Sequence, residues 1–212
     1  MHRFRVHGAR GSWPAAGEDF QKFPGSTSSY SLETERGIII FDAGTGITAL
    51  GNELVQRSPI PPIDILLTHF HLDHVSGLPS FKPIYMQDAR ITIHADMARP
   101  GWPDVLRRLV SKPLWPIELE RAGASIRFEN LPTLREGVRI QNRMKAGRDL
   151  PAELHVGNLH NIYDTKRSVD IQGVKISCCP VWHPQTCLSY RIVLPDKVIV
   201  LGTDREHGMK DL

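Results

Sequence analysis

Apolar runs and alternations mark out the chain as a succession of strands with few helices. Residues 3 to 7 alternate (Arg3, Phe4, Arg5, Val6, His7) and then meet Gly8-Ala9-Arg10-Gly11-Ser12, which predicts a strand entering a glycine loop. Pro14 to Ser29 reads as loop, closing on Gly25-Ser26-Thr27-Ser28-Ser29, and Tyr30 and Leu32 resume a strand. A Gly/Ser stretch of this kind is ordinarily a turn, with a phosphate cradle as the functional alternative. Ile38-Ile39-Ile40-Phe41 is apolar throughout, the pattern of a strand buried on both faces. It ends at Asp42-Ala43-Gly44-Thr45-Gly46, after which Ile47, Leu50, Leu54 and Val55 follow helical spacing. Asp42 therefore stands between a strand end and a helix start, as a cap or turn residue, a partner that orients a ligand histidine, or both.

After Pro59, Pro61 and Pro62 a further strand, Ile63 to Leu67, runs into Thr68-His69-Phe70-His71-Leu72-Asp73-His74. Ile91-Thr92-Ile93-His94 predicts another strand, and residues 103 to 110 predict an amphipathic helix with a proline near its first turn. Trp102 and Trp115 read as core, and His94, with no ligand-capable neighbour in sequence, reads as structural. Residues 137 to 170 carry no clear period, so residues 140 to 170 are expected to be an insertion in a single domain spanning 1–212. The basic residues Arg139, Arg143, Lys145 and Arg148 there read as solvated surface, with a polyanion exosite as the functional alternative. The histidines of that stretch, His155 and His160, reach a site only if the segment folds over it. Strands return at Val174 to Ser177, at Cys187 to Val193 and at Lys197 to Leu201, delivering His183 and Asp204 near strand ends. The pattern predicts an α/β protein with two similar layers of mixed sheet, helices outside, and metal-capable residues on one rim.

Composition narrows the function classes. With 212 residues and 41% hydrophobic content, the chain can bury a sizeable core. The 26 basic and 23 acidic residues leave a formal charge of +3, too small by itself to argue for nucleic acid or a membrane surface. Cys178, Cys179 and Cys187 are odd in number and lack CxxC spacing, which fits reduced thiols rather than a disulfide framework. The first residues lack the apolar core of a signal peptide, and no apolar run approaches membrane-spanning length. A cytoplasmic protein without a membrane partner is the expectation.

The candidate chemistry is concentrated in His69, His71, Asp73 and His74. Three imidazoles and a carboxylate make the borderline N/O ligand set that suits zinc. Left buried and unpaired, such a cluster would cost several kcal/mol, so a metal centre is the simplest reason for it. Side chains two apart in an extended segment share a face. The spacing thus predicts His69 and His71 on one ion and Asp73 and His74 turned toward a second.

With His69, His71, Asp73, His74, His183 and Asp204 in this order, the chain resembles the metallo-β-lactamase superfamily. Within it, Gly8-Ala9-Arg10-Gly11-Ser12, Phe41-Asp42-Ala43-Gly44-Thr45-Gly46 and Thr203-Asp204-Arg205-Glu206-His207 are similar to the phosphodiesterase and ribonuclease Z-like branch. The resemblance implies an αββα sandwich of two mixed sheets with outer helices. It also implies that His69, His71 and His183 hold one zinc, that Asp73 and His74 hold the second, and that Asp204 bridges both, with Asp42 orienting ligands from behind. Lactamases and thioesterases of the superfamily tend to show Gly-His-Thr-x-Gly at the His183 position. His183-Pro184 leading to Ser189-Tyr190-Arg191-Ile192 resembles the phosphodiesterase branch instead. His71 stands where the flavodiiron relatives carry Glu, which disfavours redox iron.

The family usually supplies a last histidine some tens of residues beyond the Asp204 position. A domain lacking its C-terminal part is therefore the expectation, with His207 the nearest substitute. The reaction expected from the resemblance is attack on a phosphodiester by a hydroxide held between two zinc ions, Mn or Fe being alternative metals. Asp73 would accept a proton as well as ligate, and His207 would stabilise or protonate the departing group. A small-molecule or nucleotide phosphodiester is the expected substrate, nucleic acid is open, and a homodimer is conceivable. Two rival readings keep the motif: a lactone, thioester or β-lactam hydrolase, and a metal-binding module without catalysis.

Overall fold

A computed structural model describes residues 2–20, 25–96, 101–131, 168–181, 183–185 and 187–204. The chain divides into two compact units, Met1–Ala95 with Arg99–Glu129, and Asp96–Ala98 with Asn130–Leu212.

The first unit is built on a six-stranded mixed sheet in sequential order, β1 (Arg3–Gly8), β2 (Ser29–Glu33), β3 (Ile38–Phe41), β4 (Ile63–Leu66), β5 (Arg90–Asp96) and β6 (Ser125–Leu131). β1, β2 and β3 pair antiparallel, whereas β3, β4 and β5 pair parallel. The parallel pairs need crossovers. α1 (Ile47–Leu54) lies in the first, and the second holds α2 (Leu72–Val75) with short 3₁₀ turns. All four residues of β3 and all four of β4 are buried, as the unbroken Ile38 to Phe41 run requires. Alternate residues of the three parallel strands, Ile38 and Ile40, Ile63 and Ile65, Ile91 and Ile93, share one core with Ile47, Leu50 and Leu54 of α1. Trp102 and Leu106 of α3 (Trp102–Leu109) join the same core.

Several expectations hold here and others are corrected. Trp102 is core, while Trp115 is only partly buried and donates its indole N–H to Tyr85 Oη at 2.7 Å. His94 is structural, its Nε2 lying 2.7 Å from Asp64 Oδ1 on the neighbouring strand, with both residues buried. The Gly25–Ser29 stretch is spent on the protein itself: Thr27 bonds Thr45, and Ser28 donates to Asp42. Strand β4 ends at Leu66, so His69 and His71 do not lie on a strand. β6 is an element the apolar-run reading passes over, although Ile126 and Phe128 alternate there with Arg127 and Glu129.

The second unit contains a four-stranded antiparallel sheet in the order β10 (Val198–Leu201), β9 (Cys187–Val193), β8 (Val174–Val181) and β7 (Val169–Ile171). Ile176, Tyr190 and Ile192 are buried in it. Cys178, Cys179 and Cys187 are buried and are not joined in disulfides, in keeping with reduced thiols. Burial, with Asp96 adding to it, pushes the Cys178 thiol up to about 12. Residues 132–167 and 205–212 lie outside the described residues. The expected insertion, with Arg139, Arg143, Lys145, Arg148, His155 and His160, is therefore outside them, and so is His207.

Candidate metal centre

Parallel pairing puts the candidate residues of the first unit at one end of the sheet. Phe41 is in register with Leu66, so the residues that follow the two strands, Asp42 and Leu67-Thr68-His69, emerge side by side. The Asp42 amide donates to Leu66 O at 3.0 Å, prolonging the ladder by one step. There the backbone of Asp42 turns left-handed, φ 59°, a region that Asp and Asn enter more readily than other non-glycine residues. The turn aims the carboxylate back across the strand ends.

Asp42 is fully buried and richly bonded. Its Oδ1 accepts the Thr68 amide at 2.7 Å and the Thr68 hydroxyl at 2.9 Å, and its Oδ2 accepts the Ser28 hydroxyl at 3.0 Å and lies 2.7 Å from His74 Nδ1. Donation to a carboxylate requires the proton of His74 on Nδ1, which leaves its Nε2 with a lone pair. The same logic passes one residue further. The Thr68 hydroxyl spends its only proton on Asp42, so it accepts from His69 Nδ1, 3.0 Å away, and His69 Nε2 also carries a lone pair. One carboxylate thus sets the tautomer of two imidazoles. Asp42 is not the cap of α1, whose N-cap is Gly46 without a side-chain bond. Of the roles open to it in sequence, that of cap is excluded, and Asp42 is a turn residue bonded to His74.

The remaining candidates of this unit converge in the turn that follows. His71 is extended (φ −65°, ψ 151°) and precedes the single turn of α2, which carries Asp73 and His74. Phe70, between the two histidines, packs toward the core with its ring 6.0 Å from that of Trp102. His69 Nε2 and His71 Nδ1 stand 3.0 Å apart. Two ring nitrogens aimed at one point repel unless a proton or a cation lies between them. Nitrogens sharing a tetrahedral zinc stand roughly 3.3 Å apart, so the pair fits a metal ion. His74 Nε2 lies 3.5 Å from Asp73 Oδ2, again a spacing two ligands of one ion can share. His69 lies beside His71 and Asp73 beside His74, and a loop and a helical turn bring them together rather than strand alternation.

Asp73 has one partner that sequence reasoning missed. Its Oδ2 accepts the backbone amide of Ser12 at 2.7 Å, from the glycine loop after β1, where Ser12 is itself left-handed at φ 67°. A backbone amide leaves no residue-type signature, so nothing in the sequence points to it. Thr68 was legible in principle, as a hydroxyl between a strand end and a histidine. Gly44 packs the loop after β3 against α2, and a β-carbon there would overlap the Asp73 carbonyl oxygen. The turn is clamped further by the Ala43 amide donating to His74 O at 2.7 Å and the Gly77 amide to Ala43 O at 2.8 Å.

In the second unit, β8 and β10 both run antiparallel to β9 and so point the same way. His183 follows the end of β8 and Asp204 the end of β10, and the topology brings them together with His183 Nε2 3.7 Å from Asp204 Oδ2. His183 is buried and Asp204 half-buried.

The family model of the metallo-beta-lactamase superfamily matches residues 23–171, more than half of the chain. The chain belongs to the metallo-beta-lactamase superfamily. Solved structures with this fold include the metallo-beta-lactamase fold protein YhfI from Bacillus subtilis, at TM-score 0.54 and 13% identity over 94% of this chain and 61% of that one. The short form of human tRNase Z (ELAC1) aligns at TM-score 0.58 and 18% identity, over 95% of this chain and 69% of that one. A diphosphatase from the PhnP family aligns at TM-score 0.51 and 16% identity, over 91% of this chain and 62% of that one. The chain thus spans less than two thirds of the length of YhfI and of the diphosphatase. None of the curated proteins compared matches it. Members of this superfamily typically bind metal ions, and His69, His71, Asp73 and His74 belong to clusters that could hold one.

Proposed function

We propose that this chain is a zinc-dependent hydrolase acting on a phosphodiester, with manganese or iron as the alternative metals. The observation that carries the reading is the Asp42–Thr68–His69 and Asp42–His74 hydrogen bonding, which leaves a lone pair on Nε2 of both imidazoles. In this reading His69, His71 and His183 would hold one ion and Asp73 and His74 a second, with Asp204 serving both. Zinc held there would lower the pKa of water toward 7 and offset charge on phosphoryl oxygens. The protein's own groups do the rest. Asp42, directly and through Thr68, engages Nδ1 of both imidazoles and so leaves Nε2 as the nitrogen turned toward a metal. The Ser12 amide holds one oxygen of Asp73, which fixes the carboxylate that would take a proton from the attacking water. His207 is the proposed donor to the departing oxygen.

Phosphorus is favoured over carbon by the His183-Pro184 and Ser189-Tyr190-Arg191-Ile192 pattern, which departs from the lactamase and thioesterase form. The names of two solved relatives, a tRNase Z and a diphosphatase, lean the same way. A panel of bis(p-nitrophenyl) phosphate, p-nitrophenyl acetate and a chromogenic β-lactam tests the choice. Turnover of the phosphodiester with the other two left intact is expected. Faster turnover of the acetate or the lactam would replace the phosphodiester reading with a carbonyl one.

A further inference from the structure

The Ser12–Asp73 bond joins two segments that each put a large apolar side chain into solvent beside it. Trp13, next to Ser12, is 66% exposed, and Leu72, next to Asp73, is 54% exposed. Neighbouring Cα atoms stand about 3.8 Å apart, so both side chains spring from the immediate border of the carboxylate. The backbone that carries the indole is braced. The Trp13 amide donates to Gly11 O at 2.9 Å, and Arg10 Nε donates to Trp13 O at 2.9 Å. The Arg10 guanidinium in turn lies over the Phe20 ring, 5.1 Å from its centroid. None of these bonds uses the indole. The loop therefore holds a fixed backbone with an aromatic plane presented to solvent at the edge of the candidate metal centre, an arrangement that packing within the first unit does not require.

Resting on the phosphodiester reading above, we propose that Trp13 is a specificity-determining residue that stacks on a planar aromatic group, such as a nucleobase, esterified to the phosphate, with Leu72 as the opposing apolar edge. An indole offers the largest π-face of any side chain, and stacking on it discriminates flat groups from aliphatic ones without reading a hydrogen-bond pattern. A border of this kind suits a nucleotide ester and gives a simple alkyl ester nothing to stack on.

The test is calorimetric and needs no turnover. Thymidine 5′-monophosphate and inorganic phosphate are each titrated into the zinc-loaded full chain, for wild type, Trp13→Ala, Trp13→Phe and Leu72→Ala. Trp13→Ala is expected to bind the nucleotide roughly tenfold more weakly and inorganic phosphate as wild type does. Trp13→Phe should recover most of the loss, and Leu72→Ala should show a smaller one. Equal nucleotide affinity in wild type and Trp13→Ala overturns the proposal, as does equal weakening of both ligands, which would make the indole a support of the loop. Wild-type protein that binds neither ligand overturns the phosphoester reading itself, a result distinct from a loss confined to the Trp13 variants.

Discussion

Asp42 pairs an uncommon backbone conformation with a dense set of hydrogen bonds, and the two belong together. A left-handed non-glycine residue persists where its surroundings over-determine it, and here Ser28, Thr68 and His74 do so. Asn enters the same backbone region readily, so Asp42→Asn changes charge and hydrogen-bonding capacity while sparing the turn. Partners of ligand histidines tune affinity by roughly 10–100-fold. A zinc titration of Asp42→Asn against a competing chelator should show a loss of that order with little change in the folded circular dichroism spectrum. Unchanged zinc affinity would mean that Asp42 only shapes the turn. At this scale the candidate residues were legible, because His and Asp at such spacing have few other uses. The connections between them were not. The Thr68 hydroxyl relay depends on which proton goes where, and the Ser12 amide depends on a loop 61 residues away in sequence.

The elements that deliver these residues are short, so precision comes from close backbone contact more than from helix or strand length. α2 has four residues, and it is held by the loop after β3 through Ala43, Gly44 and Gly77. Gly44→Ala would force a β-carbon onto the Asp73 carbonyl oxygen, with backbone rather than a flexible side chain as the obstacle. A stability loss of about 3 kcal/mol, the upper end for overpacking, is expected in urea unfolding of the metal-free chain, together with weaker zinc binding. Wild-type stability in that variant would show that the loop and α2 separate freely. Strands β3 and β4 were readable from their unbroken apolar runs, since both faces are buried. The alternation drawn through His69 and His71 failed because β4 stops at Leu66, where the chain must leave the sheet to bring Asp73 and His74 round on a helical turn. β6, with Ile126 and Phe128 only partly buried, carries a fainter version of the same signal.

For the molecule as a whole, the order His69, His71, Asp73, His74, His183, Asp204 already carried the superfamily, and the family match and the fold agree with it. The apolar-run pattern also foretold two sheets, with ligand-capable residues at strand ends in each. Substrate is less legible, because the proposed specificity rests on an exposed residue, Trp13, whose type alone does not distinguish a binding face from chance exposure. No helix among the described residues is long and apolar enough to cross a membrane. The central claim is that the His69 to His74 motif holds the metals that turnover needs. Elemental analysis of the purified chain, run beside phosphodiester turnover for wild type, His69→Ala and Asp73→Ala, tests it most directly. The account predicts about two divalent ions per wild-type chain, with metal and turnover lost together in both variants. Full turnover in a metal-stripped chain, or wild-type metal content in both variants, would contradict it.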